Sequence, residues 1–159
     1  MSEISVIKIP AEGDYQITTM DNGIKSVQDA VQGYIEILRL TNHKKGKPPA
    51  FLIINEEGRL KNLPINVRAT YLFNACAGGV LSLTMPQKLN VIVGDTFICG
   101  EDEDGNLASL SPEYLEIALD LINIAYANWW TKGGEKITKE AMKRPLYTIE
   151  EFNPEEFFK

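Results

Sequence analysis

A chain of 159 residues with 44% hydrophobic and 24% charged residues is long enough to close one domain core without disulfide or metal staples. Its formal net charge of -6 opposes the phosphate backbone, so direct nucleic-acid binding is not expected. The two cysteines, Cys76 and Cys99, sit in apolar runs and read as buried thiols rather than a disulfide.

The N-terminal segment lacks the apolar run of a signal peptide. The longest apolar stretch, Ile117 to Trp130, is broken by Asp120, Asn123 and Asn128, so no membrane span is expected. These features place the protein in the cytoplasm as an expectation. Ser5 to Ile9 alternates as a short strand that Pro10 stops, and Tyr15 to Met20 is a second strand. Asp21-Asn22-Gly23 is a turn, and a short helix is predicted from Ser26, its N-cap, to Gln32, with Gly33 as the stop. Tyr34 to Leu40 alternates as a strand. His43-Lys44-Lys45-Gly46-Lys47, followed by Pro48-Pro49, is a basic solvated loop.

Ala50 to Ile54 is a compact apolar run expected as a buried strand, and Arg59 to Leu63 is expected to return beside it as a hairpin. Asn66 is the predicted N-cap of a helix running to Cys76, with Gly78-Gly79 at its end. Val80–Leu83, Leu89–Val93 and Asp95–Cys99 read as short strands, and Glu101 to Asn106 as an acidic hairpin turn. The strongest helix signal spans Ser111 to Thr131, with Ser111 as N-cap, Pro112 at the first position and Glu113 in the first turn. Ile137 to Lys143 is a candidate last helical turn. The expected architecture is α+β: a mixed or mainly antiparallel sheet with one long C-terminal helix packed on a face. Residues 1–148 would form this single domain, and residues 149–159 an acidic and aromatic tail.

Catalytic and metal motifs are sparse. The one histidine, His43, lies in a lysine-rich loop away from either cysteine. One histidine and two separated cysteines do not make a closed zinc set, and no phosphate-loop motif is present. Asp102-x-Asp104-x-Asn106 with Glu113 partly copies a calcium loop, but Leu107 stands where that loop needs glycine. Neither a metal nor a cofactor is expected. Glu36, Glu56 and Glu57 are the paired carboxylates an acid–base enzyme would use, and a polar turn is the simpler reading of the latter two. Tyr34, Asn55, Asn66, Arg68 and Thr70 would line a polar pocket beside the hairpin, with Lys44, Lys45 and Lys47 meeting phosphate. Glu101, Asp102, Glu103 and Asp104, together with Phe152, Glu155, Glu156, Phe157 and Phe158 of the tail, form the candidate partner surface.

Four segments taken together resemble a domain family of unknown function common in phages, prophages and mobile elements of bacteria. They are Gln28-x-x-Val31-x-Gly33-Tyr34-Ile35-Glu36, Asn55-Glu56-Glu57-Gly58, Leu63-Pro64-x-Asn66-x-x-Ala69-Thr70, and Val93-Gly94-Asp95. The resemblance spans Val27 to Cys99 and implies a context rather than a mechanism. In that context the expected function is stoichiometric: a non-enzymatic accessory protein that binds and inhibits a bacterial defence complex, of the anti-CRISPR or another counter-defence kind. Its expected partner is a host protein, such as a nucleic-acid-handling effector, and a homodimer through the long helix is an open alternative. The competing readings are a small-ligand module, such as a sponge for a nucleotide signal, and an enzyme built on Glu36, Glu56 or Glu57.

Overall fold

The computed structural model describes residues 2–40, 49–77, 89–120, 122–123 and 148–149. Strand β1 (Glu3–Ile9) and strand β2 (Gln16–Asp21) form an antiparallel hairpin with Ile4 opposite Met20 and Lys8 opposite Gln16. Helix α1 (Ile24–Val31) follows directly. It starts two residues before the predicted Ser26 cap. The Asp21 carboxylate accepts a 2.6 Å hydrogen bond from the Gly23 N–H, and Gly23 occupies the N-cap without a side-chain cap of its own. The helix ends on Gln32 in the left-handed region, φ 63°, with the Gly33 N–H donating to the Gln28 carbonyl at 3.0 Å. This is the paired bond pattern that satisfies the last carbonyls of a helix.

Strand β3 (Ile35–Arg39) pairs antiparallel with β4 (Ala50–Asn55), and β4 pairs in turn with β6 (Thr96–Glu101). β6 pairs with β1, which completes the order β2-β1-β6-β4-β3. The two-residue strand β7 (Leu107–Ala108) joins β6 beyond the end of β1, so every pairing in this six-stranded sheet is antiparallel. The predicted hairpin between Ala50–Ile54 and Arg59–Leu63 is corrected. Both edges of β4 are already taken by β3 and β6. Residues 56–62 instead wind through successive turns, in which Gly58 donates to the Asn55 carbonyl and Leu63 to the Gly58 carbonyl.

Alternation along the strands divides the core in two. Ile4, Val6, Phe51, Ile53, Phe97 and Cys99 face Val27 and Val31 of α1, which lies across β2, β6, β4 and β3. Ile7, Ile9, Leu52 and Ile98 face the opposite way, into a cluster with helix α2 (Val67–Ala77) and helix α3 (Pro112–Asp120). A two-stranded pair, β5 (Leu89–Asn90) with β8 (Thr148–Ile149), stands apart from the main sheet.

The expected long C-terminal helix is also corrected. Three short helices are described, and the α-helical segment after Ser111 is nine residues, Pro112–Asp120. Its N-cap is the predicted one, since Ser111 Oγ accepts from the Tyr114 N–H at 3.2 Å. Ile122 and Asn123 are wound as a π-turn. There Asn123 donates its side-chain amide to the Tyr15 hydroxyl at 3.1 Å, so local tertiary contacts accompany the break in the α-helical ladder. The rest of the span to Thr131 lies outside the described residues. So do the basic loop His43–Lys47, Gly78–Gly79, Val80–Leu83, Ile137–Lys143 and the tail residues Phe152, Glu155, Glu156, Phe157 and Phe158.

Candidate functional site

The polar residues expected to form a pocket are mostly consumed by the scaffold. Asn66 is buried where β1, α2 and the turn at Gly94 meet. Its side-chain amide donates to the carbonyls of Ile9 (2.8 Å) and Gly94 (2.9 Å), while its Oδ1 accepts from the Ala69 N–H (3.0 Å). The predicted N-cap role is therefore real; both amide protons are used, and at 1% exposure the side chain faces no cleft. Thr70 Oγ1 exchanges hydrogen bonds with the main chain of Ile92, accepting at 2.9 Å and donating at 3.3 Å. Asn55 is buried at the end of β4. It donates to the Val31 carbonyl (3.0 Å) and the Gln32 carbonyl (3.2 Å) and accepts from the Glu57 N–H (2.8 Å). Arg68 reaches the opposite way, to the Gly13 carbonyl (2.9 Å) and the Asp14 carboxylate (3.1 Å), and so ties the β1–β2 turn to α2.

The carboxylates do not converge either. Glu36 is exposed on β3 and Glu56 on the following turn, while Glu57 pairs with Lys61 at 3.7 Å. None of the three lines any of the three depressions described below. The Cys99 thiol is fully buried, and desolvation pushes its pKa up to about 12, which removes it as a nucleophile at neutral pH. Among the described residues, no group of three His, Cys, Asp or Glu is placed to hold a metal. No described helix is long and apolar enough to cross a membrane.

Concavity appears instead around the C-terminal end of α1, which the sequence does not mark. A depression of about 510 Å³ lies between α1 and the β1–β2 hairpin, lined by Lys8, Gln16, Asp29, Gln32, Asp95 and Thr96 among others. A second, of about 490 Å³, joins Gln28, Asp29, Gly33, Tyr34 and Lys61. A third, of about 370 Å³, runs past Pro10, Leu63 and Pro64. Gln32 lines all three. Of the expected pocket residues that are described, only Tyr34 belongs here. The left-handed conformation that turns Gln32 into this position has no side-chain signature beyond the Gly33 that follows it.

The acidic hairpin is well ordered by its own hydrogen bonds. Asp102 Oδ1 accepts from the N–H groups of Asp104 (2.9 Å) and Asn106 (2.8 Å), and the Asp102 N–H donates to the Asn106 carbonyl (2.9 Å). Gly105, at φ 85°, supplies the left-handed residue the tip requires. Asp102, Glu103 and Asp104 are exposed, and Glu101 is half-buried at the end of β6.

No curated protein and no solved structure matches the chain. A family model described as domain of unknown function (DUF3846) matches residues 4–123, a span that runs from β1 to the end of the described part of the α3 region. That match covers well over half of the sequence, and the chain belongs to this family.

Proposed function

We propose that the protein acts by stoichiometric binding: a phage- or mobile-element-encoded accessory protein that docks on and inhibits a bacterial defence complex in the host cytoplasm. The observation that carries this reading is the acidic hairpin. Its carboxylates stand on a turn already closed by four hydrogen bonds around Asp102, the fourth from the Gly105 N–H to the Asp102 carbonyl. A preordered turn loses little conformational entropy on binding, and carboxylates held in place steer toward a basic surface such as a nucleic-acid-handling effector presents. In support, Glu36, Glu56 and Glu57 line none of the described depressions, and Asn55, Asn66 and Thr70 bond to the scaffold. The motif resemblance to phage and prophage proteins supplies the biological setting.

The test is protection of phage or plasmid in cells carrying defined defence systems, followed by capture of the protected complex at low and high salt. Glu103→Lys with Asp104→Lys leaves the Asp102 turn intact while reversing the charge of the tip. Protection is expected to fall at least tenfold, a change of about 1.4 kcal/mol in binding. Full protection by this variant, or no protection by the wild type in any system, overturns the reading.

A second reading is favoured by one observation, the cleft around Gln32. There Lys8 and Lys61 line adjoining depressions of a size that holds a small molecule. A nucleotide panel in thermal-shift format tests it, since a ligand bound to the folded state raises the melting temperature.

A further inference from the structure

Asn66 holds the carbonyls of Ile9 and Gly94 together, and the residues that follow them in the chain line a depression. It has a volume of about 370 Å³ and is enclosed by the segments 10–12, 63–64 and 94–95 with Gln32. Two hydrogen bonds tie these segments to one another. The Ala11 N–H donates to Asp95 Oδ1 at 3.0 Å, and the Gly94 N–H donates to the Pro64 carbonyl at 2.7 Å. Leu63 lies hard against Gly94, where an added Cβ would come within 2.7 Å of Leu63 Cδ1. Pro10 and Pro64 have φ fixed by their rings. The walls are therefore set before anything binds, which lowers the entropy lost on binding.

The lining is of two kinds. Pro10, Leu63 and Pro64 give an apolar wall, and Glu12 and Asp95 give two carboxylates. The Ala11 N–H fixes Asp95 through Oδ1, and Glu12 is the next residue after Ala11. The second oxygen of Asp95 has no donor among the described residues, and neither carboxylate has an ion-pair partner among them. Lys8 shares the adjoining depression of about 510 Å³ with both and pairs with neither. On the same loop Asp14 already takes a guanidinium, that of Arg68, at 3.1 Å.

We infer that this depression receives an arginine side chain of a basic protein partner, its methylene stem on Pro10, Leu63 and Pro64 and its guanidinium on Glu12 and Asp95. The inference rests on the docking reading above and adds a second contact to it. Arginine matches both halves of the lining, since its stem is apolar and its planar head offers several N–H donors to carboxylates. Lysine offers only a point charge. A phosphate would face two carboxylates here, so charge turns it away from this depression. The net charge of -6 draws a basic partner toward the whole chain. Asp95 precedes β6 and the acidic hairpin follows it, so a partner engaging both contacts spans that six-residue strand, about 20 Å.

An amide NMR titration of the full chain with N-acetyl-arginine methylamide tests this inference. Saturable shifts are expected at Ala11, Glu12, Gly94 and Asp95. The citrulline counterpart keeps the stem and loses the charge, and it is expected to bind about tenfold more weakly. The lysine counterpart is expected to bind more weakly than arginine as well. Asp95→Asn keeps an oxygen for the Ala11 N–H and removes the charge, and Glu12→Gln, at an exposed position, decides the matter where the first variant does not fold. Each is expected to weaken the arginine probe about fivefold. No saturable shift at those four amides overturns the inference. So does equal binding of the citrulline or lysine counterpart, or arginine binding undiminished by Glu12→Gln. The titration contains no partner, so its failure is distinct from that of the docking reading. Protection of phage or plasmid without an arginine response sinks this inference alone, and an arginine response without protection in any system sinks the docking reading.

Discussion

The Asn66 junction and the Asp102 hairpin use the same chemistry for opposite ends. Each places one short polar side chain where it satisfies main-chain groups: three for Asn66 and two for Asp102. Asn66 is 1% exposed and binds groups from β1, the Gly94 turn and α2, whereas Asp102 is exposed and binds only its own turn. Water can replace the bonds that Asp102 makes. It cannot reach the groups Asn66 serves, so their loss leaves buried donors and acceptors unpaired. The comparison separates scaffold from surface: a dense polar cluster in the core marks structure, and the same cluster in solvent is free to meet a partner.

Asn66→Ala breaks this comparison most severely. It strips partners from the carbonyls of Ile9 and Gly94 and from the Ala69 N–H, and about 3 kcal/mol of stability is expected to go. The midpoint of urea unfolding measures this loss, and a midpoint within error of wild type would refute the scaffold role. Gly33→Ala tests the related Asn55 junction. A Cβ there would come within 2.7 Å of Asn55 Nδ2, the atom that holds the end of α1, and a loss of about 2 kcal/mol is expected by the same measurement. Asp102→Ala should barely move stability, by about 0.5 kcal/mol, because the tip is solvated. Amide exchange of Asp104 and Asn106 should nevertheless speed up as their acceptor disappears, and unchanged exchange would show that the turn is held by something else.

How much of this was legible in the sequence depended on how local each signal was. Asn66 and Ser111 announce their helices because a cap acts within three residues, and both make the expected bond. Asp104-Gly105 marks a hairpin tip for the same reason. Ser26 misled because the Asp21 carboxylate closes the preceding turn and starts α1 earlier. The hairpin expected after β4 failed because strand pairing is a competition. The apolar Ala50–Asn55 run takes β3 and β6 as neighbours, and the local return segment loses. The long helix failed at Ile122–Asn123, where the continuous amphipathic stripe gives no warning of the π-turn.

By itself the sequence determined the strands' alternation, the Asn66 and Ser111 caps, the acidic turn and the scarcity of catalytic motifs. Each depends on residues a few positions apart, where sterics and short-range hydrogen bonds act. Only the tertiary structure decided that Asn55, Asn66 and Thr70 serve the scaffold and that, among the described residues, depressions meet at Gln32 and β3 ends the strand order. Those outcomes depend on which distant main-chain groups arrive beside each side chain. Burial and strand competition across the whole sheet settle that, and no local pattern encodes it.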